Sequence, residues 1–254
     1  MNIKTLFFAV SLFLTSSLAF SQTVIIDASS AGEIIARQIF PDTATVIRKP
    51  GAGGKIAMRE MLETNGTIAL VSTTTFITTP LQEQFQYDVD VLAVVVVASP
   101  VLISGKHTNF DKRELKQKVT IGAVGYNSVS TLTARNASRG GEATIVPYKT
   151  SGQLLTDVAS GIIDYAVVGM TPKDFPNINT LHVFDGDDDV QLTFVLLVKK
   201  GTKTLDISGV EQKIKATPAE WYNSRSLTPK WLTGDEATRY INQQQELIAP
   251  LVQQ

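Results

Sequence analysis

The sequence predicts an α/β protein with mostly parallel sheets, from three observations. Short apolar runs alternate with stretches of helical periodicity along most of the 254 residues. One run, Leu92 to Ile103, carries four consecutive valines at 94–97, as expected for one or two strands buried on both faces of a sheet. Three strand ends, at residues 27–32, 72–75 and 125–131, carry clusters of small hydroxyl side chains. In parallel α/β folds, ligands sit beyond such carboxyl ends.

Taken in order, Thr23 to Ile26 is the first strand and Glu33 to Phe40 a helix, with Ile34, Ile35 and Ile39 at helical spacing. Thr43 to Arg48 is the second strand. The glycine-rich turn Pro50-Gly51-Ala52-Gly53-Gly54 follows, and then a helix carrying Ile56, Met58, Met61 and Leu62. Thr67 to Val71 is the third strand, running into Ser72-Thr73-Thr74-Thr75. After the valine-rich segment, Lys112 to Lys118 reads as a charged helix. Beyond it lies the most informative stretch, Ile121 to Leu132: a strand, a polar turn and a helix start, with Ser128, Ser130 and Thr131 as candidate N-caps. Amides left free in such a first turn, with the helix dipole behind them, bind carboxylate or phosphate without a formal cation. Thr144 to Pro147 and Ile163 to Val168 are further strands, separated by a helix from Gln153 to Ser160. Thr171 to Leu181 reads as a connection and Leu192 to Val198 as a strand. Val210 to Lys215 is a short helix, Trp221 to Trp231 an aromatic-anchored loop, and Gly234 to Gln254 a terminal helix.

Composition narrows the function. A hydrophobic fraction of 43% and a charged fraction of 19% mark a globular chain. A formal net charge of -1 with no basic block argues against nucleic acid. Without cysteines there are no disulfides or thiolate sites. Residues 1–21 read as a cleavable secretory signal peptide, with a lysine before an apolar stretch and Ala19-Phe20-Ser21 at the cleavage site, so that Gln22 begins the mature chain. The glycine-rich turn fails as a phosphate loop, since Gly54-Lys55 is followed by Ile56. Asp185 to Asp189 fails as a calcium loop, because its twelfth position is Leu196. His107 and His182 have no nucleophile motif or metal-binding partner beside them, which argues against an enzyme. No cofactor or metal is expected.

Several motifs together resemble one family. They are Arg48-Lys49-Pro50-Gly51-Ala52-Gly53-Gly54, Glu33-Ile34-Ile35-Ala36-Arg37, Tyr87-Asp88, Gly125-Tyr126-Asn127-Ser128, and Val146-Pro147-Tyr148-Lys149 with Gly161 and Asp164 behind it. In this order and spacing they are similar to the Bug receptors, the periplasmic solute-binding proteins of tripartite tricarboxylate transporters. The match is good from Val24 to Gly169 and loose beyond.

The resemblance implies a type II periplasmic binding protein fold, two lobes closing by a hinge on a small carboxylate held by amides, hydroxyls and waters. Lobe 1 would comprise residues 22–110 plus 190–254 and lobe 2 residues 111–189, with crossings near Ser104 to Lys112 and Asp189 to Thr193. The implied ligand-binding residues are Ser29, Ser30 and Ala31 in the first turn and Ser72, Thr73 and Thr74 in the third. From the opposite lobe come Tyr126, Asn127, Ser128, Ser130 and Thr131, with Thr150 and Ser151. Lys149 is taken as structural, and Tyr126 with Phe76 as a wall for stacking an aromatic acid. The chain departs from the family's pattern at Ser29-Ser30, where a glycine pair is usual, at Thr131, where a histidine is common, and at Val168-Gly169. The last of these removes the group that would select a ligand amine. The expected function is a monomeric periplasmic receptor passing a small organic acid to the membrane subunits of a secondary transporter. A non-transporting sensor is the alternative, followed by an enzyme on the same fold.

Overall fold

The computed structural model describes residues 22–27, 30–172, 175–186, 189–203 and 205–252. The expected signal peptide, Ser29 and the Asp187-Asp188 pair lie outside the described residues.

The first lobe begins with β1 (Thr23–Ile26), whose β-branched residues suit a pleated surface. Helix α1 (Ser30–Ile39) buries Ile35, Ala36 and Ile39 and keeps a Glu33–Arg37 ion pair at i,i+4 on its exposed side. Then come β2 (Thr45–Arg48), α2 (Lys55–Glu63) with Ala57, Met58 and Met61 inward, and the wholly buried β3 (Ile68–Ser72). A wide turn of helix at Thr74–Thr78 runs straight into α3 (Thr79–Glu83), which carries Pro80 as its second residue. The strand β4 (Val89–Ala98) completes this passage.

The second lobe holds β5 (Val101–Ser104), β6 (Thr120–Val124), α4 (Val129–Ala137), β7 (Thr144–Tyr148), α5 (Ser151–Ala159), β8 (Tyr165–Val168) and β9 (Asn179–Val183). The chain then returns through β10 (Leu192–Lys199), α6 (Ser208–Ala216), α7 (Ala219–Asn223), β11 (Leu227–Leu232) and α8 (Gly234–Val252).

Two sheets result, in the orders β11-β4-β10-β3-β1-β2 and β7-β6-β8-β5-β9. Both are mixed rather than mostly parallel. Pairing is parallel where a helix returns the chain to the same sheet, as in β2-β1-β3 and β7-β6-β8. It is antiparallel where strands that leave a lobe lie beside strands that re-enter it, as β4 with β10 and β5 with β9. Because β5 pairs with β8 and β9, the first passage between sheets is at Ser99-Pro100 and not at Ser104 to Lys112.

Other boundaries also differ. Residues 112–116 form a 3-10 turn capped by Asp111, too short for the expected α-helix. The aromatic loop expected at Trp221 to Trp231 is instead the end of α7 and most of β11, which pairs with β4.

In the second sheet, alternating residues face opposite cores. Val101 and Ile103 pack with Leu154 and Val158 on one side, and Leu102 packs with Ile121 and Tyr165 on the other. The first-lobe core extends across the divide, since Val129 and Leu132 of α4 join it.

Candidate functional site

Where the two lobes meet there is a cleft of about 990 Å³. Its first wall is the end of β1 and β3. Asp27 follows β1 and is only 4% exposed, and its Oδ2 accepts from the amide of Ser72 at 3.3 Å, the Ser72 hydroxyl at 3.2 Å and the Thr75 hydroxyl at 2.7 Å. Three donors on one carboxylate oxygen hold the side chain in a fixed place.

The glycine-rich turn closes behind this triad. Gly54 adopts φ +88°, and a Cβ there would lie 2.1 Å from the Thr75 hydroxyl. Only glycine permits both the left-handed backbone and the approach. At the mouth, Arg48 borders the cleft and is exposed, with Nη1 3.8 Å from Glu33.

The second wall is made of two helix N-termini. Ser128 caps α4 by accepting from the amide of Thr131 at 3.2 Å, and Thr150 caps α5 by accepting from the amide of Gln153 at 3.3 Å. The first-turn amides of Ser130, Ser151 and Gly152 have no partner within their helices, and these three residues border the cleft. Tyr148 anchors α5 by donating to Asp157 at 2.8 Å, and burial together with that carboxylate pushes its phenol up to about 12. Tyr126 stands at the rim, 67% exposed, with the Arg135 guanidinium 4.9 Å from its ring centre. The Val129 amide donates across the cleft to the Thr74 hydroxyl at 3.3 Å, and farther along the divide the Thr171 amide donates to the Arg225 carbonyl at 3.2 Å.

Of the residues expected at the site, Ala31, Ser72, Thr74, Tyr126, Ser128, Ser130, Thr150 and Ser151 border this cleft. Ser30 is placed only as the first residue of α1. Three others turn away. The Thr73 hydroxyl accepts from the amide of Thr193 at 2.7 Å, bracing β3 to β10. Thr131 is buried and donates to the Gly125 carbonyl at 2.5 Å, closing the turn before α4. Asn127 accepts from Arg135 at 3.3 Å.

Phe76 does not face Tyr126. It lines a separate cavity of about 720 Å³ among α3, β4 and α8, so no paired aromatic wall exists. The cleft is not free of cations either, since Arg48 and Lys149 both border it. Sequence reasoning passed over Asp27, although an acidic residue directly after a strand and before small residues marked the position.

The histidines lie elsewhere. His107 stacks on Tyr165 at 4.9 Å, and His182 packs between Phe110 and Phe184. Among the described residues no group of three or more His, Asp or Glu is placed to hold a metal, and no helix is long and apolar enough to cross a membrane.

Two lobes joined by crossing strands, with the cleft between them, define the periplasmic binding protein architecture, and solved structures share it. The structure of a periplasmic transporter matches with a TM-score of 0.77 at 18% identity, covering 94% of this chain and 98% of that one. The periplasmic binding protein BugD matches with a TM-score of 0.69 at 17% identity, covering 92% and 96%. A periplasmic substrate-binding protein of an ABC transporter from Coxiella burnetii matches at 0.54 and 13% identity, covering 82% and 100%. At these identities the likeness establishes the fold. No protein-family model matches the sequence, and neither does any curated protein.

Proposed function

We propose that this chain is an extracytoplasmic solute receptor of the Bug type, which closes on a small organic carboxylate and hands it to the membrane subunits of a tripartite tricarboxylate-type transporter. The observation that carries this is the pair of helix N-termini, α4 and α5, opening together into a cleft whose far wall belongs to the other lobe. Their free amides and positive dipole ends suit a ligand carboxylate. The fold shared with BugD supports the same role. A ligand touching both walls stabilises the closed arrangement by its extra contacts there, which is how binding becomes a shape change that a membrane partner can read. The chain acts as a monomer and performs no chemistry on its ligand.

The test is a thermal-shift screen of the chain from Gln22 against organic acids and amino acids, each beside its carboxamide. A ligand at a hundred times its Kd adds about 2.7 kcal/mol of stability. A rise in melting temperature with an acid and none with its amide is expected. If amides stabilise as well as acids, or no acid does, the assignment fails.

A further inference from the structure

The second cavity, of about 720 Å³, lies in the first lobe away from the cleft, among α3, the start of β4 and α8. Its size is that of a small-molecule site. Phe76, Leu81, Phe85, Tyr87, Val89 and Val91 line it, and each is only half-buried by the fold itself. Phe85 and Tyr87 meet edge to face, with ring centres 5.0 Å apart and planes at 88°, so their corner offers a third ring both a face and an edge.

Charge separates this cavity from the cleft. Asp27, Arg48 and Lys149 border the cleft, whereas among the described residues none that lines the second cavity is charged. Amides stand at its rim instead, since Gln84, Gln86, Asn242 and Gln245 are exposed there. They donate and accept hydrogen bonds without a formal charge. A carboxylate or ammonium entering this cavity would lose hydration and gain no counter-charge, a cost that an uncharged molecule avoids.

Tyr87 adds an unmet demand. It belongs to one of the sequence motifs yet does not border the cleft. Its hydroxyl is buried without a hydrogen-bond partner. Burial first, and the charge of Glu83 second, push the phenol up to about 12, so the group stays protonated and able to donate. A buried hydroxyl is costly to leave unpaired, and an acceptor brought in beside the ring relieves that cost.

We infer that this cavity is a second binding site, for an uncharged aromatic molecule whose ring packs against Phe85 and Tyr87 and whose carbonyl or similar acceptor takes the Tyr87 hydroxyl. The site is independent of what the cleft holds. It nevertheless shares an element with it: Thr74 and Thr75 of the wide turn after β3 border the cleft, while Phe76 and Ile77 of the same turn line this cavity. Turns of this winding recur at functional sites. An occupant therefore bears on the turn whose Thr74 accepts from α4 across the lobes.

The probes are naphthamide and naphthoate, substituted at the same ring position and so alike in shape. Naphthamide should bind by calorimetry and slow amide hydrogen exchange in α8 and the wide turn, leaving α4 and α5 unchanged. Naphthoate at the same concentration should not protect α8. Asn242→Trp, which sets an indole at the exposed rim, should abolish naphthamide binding. Tyr87→Phe should weaken it about fivefold, the worth of one hydrogen bond, without lowering the melting temperature of the empty protein. Failure of naphthamide to bind, binding that survives Asn242→Trp, or protection that falls on α4 and α5 would overturn the site. Equal protection of α8 by naphthoate would overturn the ligand class. A Tyr87→Phe protein that binds normally but is less stable would show the hydroxyl to serve the fold, and would overturn its role as donor. Should that variant not fold, hydrogen exchange with Asn242→Trp decides. Each of these results leaves the proposed role of the cleft standing.

Discussion

The first-lobe wall of the cleft is braced between elements far apart in sequence, whereas the second-lobe wall is braced within each loop. Asp27 ties the end of β1 to Ser72 and Thr75, and Gly54 packs against that Thr75. Ser128 and Thr150, in contrast, accept from amides three residues on within their own turns. The difference predicts that the two walls respond differently to substitution. Disturbing the first wall strains a sheet, while disturbing the second frays a helix end.

The largest expected effect follows from Gly54→Ala. The added Cβ meets the Thr75 hydroxyl and the residue keeps a left-handed φ, so a loss of about 3 kcal/mol is expected in urea unfolding. Thr75→Ser in the same chain should recover part of it by removing the methyl that crowds the site. No recovery would mean that the methyl is not what sets the cost, leaving the left-handed turn and the retained hydroxyl.

Asp164 gives the second lobe its nearest equivalent to such a brace. Its carboxylate accepts from the Thr120 amide at 2.9 Å, the Thr120 hydroxyl at 2.8 Å and Lys106 at 3.2 Å, joining β8 to β6. Asp164→Ala should cost about 2 kcal/mol, because Thr120 loses its partner. Burial alone would raise this carboxyl, but the bonds from Thr120 and Lys106 outweigh it, and its pKa is lowered. Its stabilisation is therefore complete above the ordinary carboxylate range and is lost as pH falls through the lowered value. An acid titration of the variant beside the unaltered chain checks the sign.

Ser128→Ala and Thr150→Ala should each cost about 1 kcal/mol, the usual worth of an N-cap. Hydrogen exchange should report the loss in α4 or α5 alone. Exchange that spread to the β1-β3 end would refute the independence of the two walls.

The smallest effect belongs to His182, whose pKa is lowered by burial first and by Lys112 second, against Asp189 and Asp185. Between the lowered value and the ordinary 6.5 the unfolded chain binds more protons, so stability falls as pH falls through that window. His182→Phe should flatten that slope, measured by melting temperature against pH.

Much of this architecture was legible in the sequence because caps, turns and buried strands each leave a local signature. Ser128 and Thr150 precede helical periodicity, and the glycines at 51–54 mark a backbone that other residues avoid. Side-chain direction was not legible. Ser72 turns to Asp27 and Thr73 to β10, and a hydroxyl cluster does not say which of its members faces a cavity. Phe76 escaped for the same reason, since the wide helical turn after β3 carries it round to α8. The sheet directions depended on which strands enter and leave each lobe, information spread over a hundred residues.

The order of strands in the first sheet has a consequence for synthesis. The valine-rich β4 lies between β10 and β11, both of which follow it in the chain by more than ninety residues. A growing polypeptide that has reached only β9 therefore carries this ten-residue strand with neither neighbour made. Two bare edges of this kind invite pairing with other nascent chains. Truncation before β10 should yield an aggregating product rather than a folded lobe, with Val94 to Val97 the segment left bare.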